Sequence, residues 1–260
     1  MSNSFCHKNV VFIGAGNVST HLSQAMKNAG YSILQVYSHS KNNAASLADK
    51  LDCSHTTDIE NIRADAGVYV FSLKDDILSD VIENVPPNDG LWIHTAGSIS
   101  IDIFQGYTKR FGVIYPLQTL SKQRKTDFSK IPLLIEGNTK NSEKDIYDIA
   151  GKLSGNITLI SSEKRKFLHL AAVFACNFSN HMYTLATQIL KKQGIDRHIL
   201  QPLIDETTNK IYTMTPLEAQ TGPAIRYDRN VIERHISMLE DNDIRELYKA
   251  ISDSIHKIRN

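Results

Sequence analysis

The sequence predicts an α/β fold in which a mostly parallel sheet is followed by a smaller, all-helical domain. Up to residue 161, short apolar segments alternate with segments whose apolar residues recur at helical spacing, the pattern of strands joined by crossover helices. From residue 162 onward the strand pattern stops and only the helical spacing continues. We therefore predict two domains, 1–161 and 162–260, of which the first carries the sheet.

Seven apolar segments are the candidate strands of this sheet. They are residues 9–13, 33–38, 68–73, 91–95, 111–116, 132–137 and 157–161. Helical spacing connects several of them, at 16–30, 41–51 and 75–85. In the second domain it predicts one long helix over 164–191, a further helical segment over 197–214 and a last helix near 244–258. The long helix is apolar nearly all round, so we expect it to be a buried central helix, either within one chain or shared between two subunits.

The composition argues against several classes of function. Of the 260 residues, 41% are hydrophobic and 22% are charged, and 29 Lys and Arg offset 28 Asp and Glu. A nearly neutral chain of this kind gives no indication of nucleic acid or an anionic membrane as a partner. We expect the one local basic segment, residues 121–130, to be a solvated loop.

The three cysteines, Cys6, Cys53 and Cys176, are far apart and form neither a zinc-binding nor a disulfide pattern. The N-terminal residues lack the apolar segment of a secretion signal, and the longest apolar run is too short to cross a bilayer. We therefore expect a cytoplasmic protein without a bound metal.

A glycine-rich turn follows the first predicted strand and opens the first predicted helix. This context is typical of a Rossmann-type dinucleotide-binding fold, in which the first glycine allows a sharp reversal and the second lets the backbone approach the pyrophosphate. Ser19 stands in place of the usual third glycine. Free N–H groups at the helix start would meet the phosphate charge. The alternative is a structural turn in a sheet that binds another ligand. The predicted cofactor contacts are Gly14, Ala15, Gly16, Asn17 and Val18.

The end of the second predicted strand indicates which dinucleotide binds. A carboxylate about twenty residues after the turn would bind the ribose 2′-hydroxyl of NAD, but the chain has no Asp or Glu there. The hydroxyl groups of Ser38 and Ser40 and the ammonium group of Lys41 suit a 2′-phosphate instead. The sequence therefore predicts NADP, unless this segment is only a polar loop that caps the next helix.

Ligands of such sheets bind at the carboxyl ends of the strands. Leu73 and Thr95 end two of the predicted strands, so we expect them to border the nicotinamide. Asp75 or Asp76 is expected to cap the following helix rather than to act in catalysis. His94 falls inside a strand and is expected to be packed and hydrogen-bonded.

Polar side chains interrupt the apolar pattern of the long helix. At about 100° per residue, His169, Asn177 and Asn180 fall within an arc of about 80°. Because burying such groups is costly unless they are paired, we predict His169 and Asn177 as catalytic residues and Asn180 as a substrate contact. His169 would deliver or accept a proton. A satisfied polar network between two domains or two subunits would give the same pattern.

Arg226 is the second candidate substrate contact. It lies between the turn Gly222-Pro223 and a helix for which Asp228 is a good N-cap. A guanidinium group there would hold an anionic group of a cofactor or substrate. It could equally pair with Asp228 or with another chain.

Several segments together resemble a known family. They are VVFIGAGNVSTHL, HTAGSISIDIF, YPLQTLS, HLAAVFACNF and TGPAIRYDRNVIERH. They resemble the Rossmann-like proteins with an attached helical domain of unknown function, often labelled candidate NADP oxidoreductases. The first domain of that family is similar to those of deazaflavin-dependent NADP oxidoreductases and pyrroline-5-carboxylate reductases. The second is similar to the C-terminal helical domains of the 6-phosphogluconate dehydrogenase superfamily, which often dimerise. The resemblance implies the fold, NADP as cofactor and a homodimer, but no substrate.

The chain departs from related dehydrogenases at two places. Those with a Lys-x-x-x-Asn pair on the interdomain helix use the lysine as acid or base, whereas Val173 and Cys176 occupy the corresponding positions before Asn177 and Asn180. Relatives also tend to have His-Pro where this chain has Tyr115-Pro116. The catalytic groups of those relatives therefore cannot be carried over.

These observations lead to a functional hypothesis with one main alternative. The sequence predicts an NADP(H)-dependent oxidoreductase acting on a small carbonyl, imine or hydroxy-acid substrate. The alternative is a dimeric NADP-binding sensor or structural protein without turnover, and the missing lysine is its motivation. The third hypothesis is that the glycine turn binds another nucleotide.

Overall fold

The structure, a computed structural model, describes residues 8–259, and within them eight strands form one sheet. The strands are β1 (Asn9–Ile13), β2 (Ser32–Tyr37), β3 (Ser54–Thr56), β4 (Val68–Phe71), β5 (Leu91–His94), β6 (Phe111–Pro116), β7 (Leu133–Gly137) and β8 (Ile157–Leu159). Their order is β3-β2-β1-β4-β5-β6-β7-β8. All neighbours pair in parallel except β6 and β7, which are antiparallel. The predicted fold class is confirmed.

The predicted helices of this region are present, and two further elements join them. The helices are α1 (Asn17–Asn28), α2 (Lys41–Leu51), α3 (Asp75–Asn84) and α4 (Lys140–Leu153). The sequence did not predict α4, nor β3 at the edge of the sheet. The sequence of β3 is Ser-His-Thr and its residues are largely exposed, so it carries no apolar signal.

Side chains of β1 show why both faces of the sheet are covered. Val10 and Phe12 point to one face and pack in a cluster with residues of α1, α2 and α4. Val11 and Ile13 point to the other, where they pack in a cluster that includes residues of α3 and the aromatic side chain of Trp92. These four side chains of β1 are completely buried. A strand buried on both faces has a continuous run of apolar residues, and this run predicts β1 from the sequence.

The chain divides into two compact units, Met1–His181 and Met182–Asn260. The change from strand to helical pattern lies between β8 and the next helix, α5 (Ser162–Ala172). The first unit therefore contains the whole sheet together with α5. The division of the chain into domains 1–161 and 162–260 stays a prediction.

The predicted long helix contains an irregular turn. Helix α5 continues into a π-helical turn, Val173–Phe178, and then into α6 (Ser179–Lys192). The prediction that this helix is buried is wrong for the single chain, because many of its large apolar side chains are exposed. They are Phe167, Leu170, Phe174, Phe178, Tyr183 and Ile189. Burial of this helix between two subunits stays a prediction.

The second unit is helical, as predicted. Its further helices are α7 (Gln201–Lys210), α8 (Pro216–Ala219), α9 (Pro223–Arg226), α10 (Arg229–Met238) and α11 (Asn242–Arg259). Across residues 8–259, no helix has the length and apolar character needed to span a membrane. Cys6 lies outside the described residues, and Cys53 and Cys176 are free.

Candidate functional site

The glycine turn between β1 and α1 has one glycine that is sterically required. Gly14 has φ +112°, and a Cβ there would lie 2.1 Å from the carbonyl oxygen of Ser72 and 3.1 Å from Cδ2 of Leu73. The turn therefore passes directly against the end of β4. Ser19, which stands at the position of the usual third glycine, is completely buried, with its Oγ 3.5 Å from the same carbonyl oxygen.

The second glycine differs, because the space around it is open. Apart from Gly16 and its two chain neighbours, no described atom lies within 4 Å of a Cβ built on Gly16, which is the N-cap of α1. Gly16 has no side chain that could cap the helix, and the first turn of α1 has no acidic residue. The N–H groups at Asn17 and Val18 therefore face this space with the positive end of the helix dipole behind them. Ala15, between the two glycines, is buried.

The predicted 2′-phosphate residues lie between β2 and α2. Ser38 is buried, and its Oγ accepts a hydrogen bond from the N–H of Ser40 at 3.4 Å. Ser40 is the N-cap of α2, and its Oγ accepts from the N–H of Asn43 at 3.4 Å. Lys41 is exposed at the first position of α2. Ser40 thus caps α2, as the alternative interpretation of this segment predicted. The side chain of Lys41 is exposed and available to an anion.

The basic segment 121–130 is a largely exposed loop, as the sequence predicted, but its first two residues make contacts with α1 and α2. The backbone N–H of Lys122 donates to Oδ1 of Asn17 at 3.3 Å, and its Nζ donates to Oδ1 of Asn43 at 3.3 Å. The carbonyl oxygen of Ser121 lies 3.0 Å from Nε2 of His21. Residues from the start of α1, the middle of α1 and the start of α2 therefore hold the beginning of this segment. These contacts could not be predicted from the sequence, because the spacing of apolar residues does not relate positions so far apart in the chain.

Thr95 and Leu73 lie where the sequence predicted, at the carboxyl ends of β5 and β4. Thr95 is buried, and its N–H donates to the carbonyl oxygen of Phe71 at 3.1 Å. Leu73 lies against the glycine turn through the approach of Gly14. Beyond β5, the hydroxyl of Ser98 donates a hydrogen bond to a carboxylate oxygen of Asp75 in α3.

His94 is packed, as predicted, although only one of its ring nitrogens is paired. Its side chain is fully buried, and its Nδ1 accepts a hydrogen bond from the N–H of Ala96 at 3.1 Å. Among the described residues its Nε2 has no hydrogen-bond partner. Burial, with a smaller contribution from the charge of Arg165, lowers the pKa of His94 to about 3. His94 is therefore a neutral residue of the interior.

His169 lies against the loop that follows β5. Its Nδ1 is 2.9 Å from the hydroxyl oxygen of Tyr115 in β6, and the two rings meet edge to face. A Cβ on Gly97 would lie 2.6 Å from the same Nδ1 and 2.9 Å from Cζ of Tyr115. Gly97 thus leaves the space in which the Tyr115–His169 pair forms. Burial raises the pKa of the Tyr115 hydroxyl, which therefore stays protonated at neutral pH.

A buried ion pair fixes α5 beside this pair. The side chain of Arg165 is completely buried and forms an ion pair of 2.8 Å with Glu136 in β7. Its Nη2 also donates to the carbonyl oxygen of Ile99 at 2.5 Å and to Oγ of Ser162 at 3.1 Å. Arg165 precedes His169 by four residues, so both project from one face of α5. The contacts of Arg165 therefore hold His169 against the loop after β5.

These supporting residues were not predicted from the sequence, and the role of Tyr115 was left open. An arginine among the apolar positions of a helix and a glutamate inside a strand were the available signals, since fully buried charges are rare unless paired. No pattern in the sequence paired Arg165 with Glu136, because 29 residues separate them.

The long helix is irregular where the predicted residues Asn177 and Asn180 lie. Asn177 lies within the π-helical turn, and Asn180 follows in α6; both are exposed. The predicted shared arc with His169 assumed a regular α-helix. That assumption is wrong, because each residue inserted by a π-helical turn rotates the following positions by about 100°.

Arg226 lies in the second unit, as the exposed last residue of α9. Asp228 caps α10, accepting from the N–H of Val231 at 3.2 Å, as predicted. Between them, Tyr227 has φ +52°, and its ring stacks on His256 with a centroid separation of 4.1 Å. The side chain of Asp228 is thus occupied by the helix cap.

Two families match separate parts of the chain. The family described as Rossmann-like domain matches residues 5–118, and the family described as Domain of unknown function (DUF2520) matches residues 131–255. A crystal structure of a candidate NADP oxidoreductase from Bacteroides fragilis is 44% identical, with 98% of this chain and 100% of that chain covered and a TM-score of 0.90. The chain belongs to this family of Rossmann-like proteins with a DUF2520 domain. The resemblance to Rossmann-like proteins with a helical domain of unknown function is therefore confirmed.

More distant solved structures share the fold. A 1-pyrroline-5-carboxylate reductase from Streptococcus pyogenes is 12% identical, with 96% of this chain and 98% of that chain covered and a TM-score of 0.61. An imine reductase from Myxococcus stipitatus, solved in complex with NADP+, is 15% identical, with 96% and 92% covered and a TM-score of 0.65. None of the curated proteins matches this chain.

Proposed function

We propose that this chain is an NADP(H)-dependent oxidoreductase that acts on a small carbonyl, imine or hydroxy-acid substrate. The observation that carries the proposal is the open, uncapped helix start at Gly16, placed at the carboxyl edge of a parallel sheet. A phosphate fits there because unpaired N–H groups and the helix dipole favour an anion. The 44% identical candidate NADP oxidoreductase supports the same cofactor.

The chain's own residues divide the cofactor between them. Residues Gly14 to Val18 would hold the pyrophosphate, and Ser38, Ser40 and Lys41 the 2′-phosphate. Leu73 and Thr95 would border the nicotinamide, since they lie at the ends of the strands next to the turn. When bound, the reduced cofactor supplies a hydride to the substrate carbon.

Reduction of a carbonyl or imine also needs a proton, and His169 is the proposed donor. The hydrogen bond between its Nδ1 and the Tyr115 hydroxyl fixes the orientation of the imidazole ring. The donor is the imidazolium form: its Nδ1–H donates to the phenolic oxygen of Tyr115, and its Nε2–H is transferred to the substrate. Loss of that proton leaves the neutral tautomer that carries its proton on Nδ1. In the opposite direction, Nε2 of this neutral tautomer accepts the proton from a hydroxy acid.

Three further side chains are proposed to contact the substrate. Asn177 would orient it, and Asn180 would contribute an amide hydrogen bond; both are exposed on the helix that carries His169. Arg226 would hold an anionic end of the substrate, a role supported by its exposed guanidinium group.

Calorimetric titration of the purified protein with NADPH and, separately, with NADH tests the cofactor. We expect NADPH to bind at least about tenfold more tightly, a difference of about 1.4 kcal/mol. Gly16→Asp should abolish binding, because it places a carboxylate where the phosphate would lie. Absence of binding of both dinucleotides to the wild-type protein would overturn the proposal.

Turnover is tested by NADPH consumption with a panel of small aldehydes, ketones, imines and, with NADP+, hydroxy acids. We expect consumption that scales with protein and falls strongly in His169→Ala, whose NADPH binding stays near that of the wild type. A wild-type rate in His169→Ala would remove His169 from the mechanism.

A dimeric NADP-binding sensor or structural protein is the second candidate function. It is favoured by Val173 and Cys176, which occupy the positions of the catalytic lysine of related dehydrogenases. NADPH binding without substrate-dependent consumption across the panel would support this candidate over the enzyme.

We further propose that two copies of the chain associate through their helical parts. Phe167 and Phe174 are 69% and 63% exposed on the long helix, and Tyr212 and Met238 are 79% and 73% exposed in the second unit. So much exposed apolar surface is characteristic of an interface. Light scattering with size-exclusion chromatography should give twice the mass of 29.2 kDa; the mass of one chain would contradict this.

A further inference from the structure

The start of the basic segment 121–130 connects the two helix starts of the candidate cofactor site. Lys122 donates from its backbone N–H to Asn17, the first residue of α1, and from its Nζ to Asn43, the third residue of α2. The buried side chain of His21 lies 3.0 Å from the carbonyl oxygen of Ser121 and fixes the segment one residue earlier. The ammonium group of Lys122 is thus held at the first turn of α2.

This position is beside the predicted 2′-phosphate loop. Nζ of Lys122 contacts the side chain of Asn43. The backbone N–H of Asn43 donates to Oγ of Ser40, the N-cap of α2, at 3.4 Å. Lys41 is exposed in the same helical turn. Neither α1 nor α2 has an acidic residue in its first turn. The first turns of the two helices therefore place no negative charge beside the two lysines, which are remote in sequence.

The charge of Lys122 is also not neutralised within the protein. Its partner Asn43 offers a neutral amide oxygen, and among residues 8–259 no carboxylate lies within ion-pair distance of its Nζ. An ammonium group has three donors, so one hydrogen bond to an amide leaves two for a further acceptor.

We propose that Lys122 binds the 2′-phosphate of NADP(H) and is a specificity residue of the cofactor site. This inference rests on the proposed NADP(H)-dependent function. It extends that function, because the cation comes from the segment after β6 and not only from the loop after β2. A dianionic phosphate between Lys41 and Lys122 accepts charge-assisted hydrogen bonds from both. NAD(H), with a 2′-hydroxyl, gains nothing comparable from Lys122.

Three variants separate charge from architecture. Lys122→Ala removes both the charge and the contact with Asn43, whereas Lys122→Gln removes the charge and keeps an amide donor for Asn43. Lys125→Ala is the matched control, because Lys125 is an exposed lysine of the same segment. Each variant is titrated calorimetrically with NADPH and with NADH, at low and at high salt.

We expect Lys122→Gln and Lys122→Ala to weaken NADPH binding about tenfold, equivalent to about 1.4 kcal/mol, and to change NADH binding less than about twofold. Lys125→Ala should leave both affinities within about twofold of wild type. High salt should reduce the NADPH preference of the wild type more than that of Lys122→Gln, because screening acts on the charge that the variant lacks.

Two results would overturn the inference while leaving the proposed function intact. One is a wild type that prefers NADPH together with a Lys122→Gln variant of unchanged preference. The other is an equal loss of NADPH and NADH binding in both variants, since Lys122 would then only hold the segment in place. A wild-type protein that binds neither dinucleotide would refute the proposed function and this inference together.

Discussion

The glycine turn after β1 and the Tyr115–His169 pair lie at the same edge of the sheet, but they depend on different parts of the chain. The turn consists of consecutive residues, and its main long-range requirement is that Gly14 passes the carbonyl oxygen of Ser72. The pair joins residues 54 positions apart and occupies space that Gly97 leaves free. The turn therefore depends on backbone conformation, while the pair depends on the contacts that hold α5. Substitutions that affect one region and spare the other test this difference.

The largest expected effect is at the ion pair that holds α5. Glu136→Ala leaves the fully buried guanidinium of Arg165 without its carboxylate, a change that typically costs about 3–5 kcal/mol. Burial lowers the pKa of Arg165, and Glu136 opposes that shift, so the loss exposes the full cost of burial. Urea unfolding measures the change in the free energy of unfolding.

The control for Glu136→Ala is Glu143→Ala. Glu143 pairs with Lys140, whose side chain is 90% exposed, so its removal should cost less than about 1 kcal/mol. Equal losses in the two variants would mean that the ion pair of Arg165 does not hold α5 in the way described.

Gly14→Ala is the corresponding test of the glycine turn. The added Cβ would collide with the carbonyl oxygen of Ser72 at a residue whose φ is +112°, and we expect a loss of about 2–4 kcal/mol. Gly16→Ala is the matched variant, because φ is −83° there and the space around the new Cβ is open. It should cost less than about 1 kcal/mol. Similar unfolding free energies for the two variants would contradict the description of the turn.

Much of the fold was predictable because it depends on local patterns. The strands buried on both faces appear as continuous apolar runs, and the glycine turn is visible between β1 and α1. The edge strand β3 was missed because its exposed Ser-His-Thr sequence has no apolar period. The long helix was predicted, but its irregular turn at Val173–Phe178 was not, since the segment has neither proline nor glycine to mark a break.

The candidate site was predictable only where its residues are neighbours in sequence. The segment Gly14 to Val18 lies where expected, and His169 was selected as a polar residue on an apolar helix. Its partner Tyr115 and the contacts of Lys122 with both helix starts depend on tertiary packing. Sequence patterns report the periodicity of one element, so they carry no information on which distant side chains meet.

The buried His94 makes the stability of the folded protein depend on pH. Its pKa is lowered to about 3, against an ordinary value of 6.5, so the unfolded chain binds a proton that the folded chain excludes. Its contribution to stability is complete above pH 6.5 and is lost progressively as the pH falls toward 3. At pH 5 we expect a loss of about 2 kcal/mol relative to neutral pH.

Urea unfolding at pH 7 and pH 5 measures this loss, with His94→Asn as the test variant. The amide oxygen of Asn can still accept from the N–H of Ala96, but it does not titrate, so the difference between the two pH values should shrink. His55→Asn, at an exposed position, should behave as the wild type. An unchanged pH dependence in His94→Asn would show that other groups cause the loss.

Tyr115→Phe should have the smallest effect of these variants. It tests whether the glycine turn and the Tyr115–His169 pair contribute separately to cofactor binding and turnover. The variant removes the hydroxyl that orients His169 but keeps the packed ring, so a loss of about tenfold in turnover is expected, equivalent to about 1.4 kcal/mol and typical of one hydrogen bond. NADPH affinity, which depends on the glycine turn, should stay within about twofold of wild type.

The comparison uses NADPH consumption with the substrate that the wild type turns over fastest. Tyr107→Phe is the matched control, because the hydroxyl of Tyr107 bonds only weakly to Glu83 at 3.4 Å. If NADPH affinity fell in parallel with turnover, the turn and the pair would be one coupled site rather than two separately built regions.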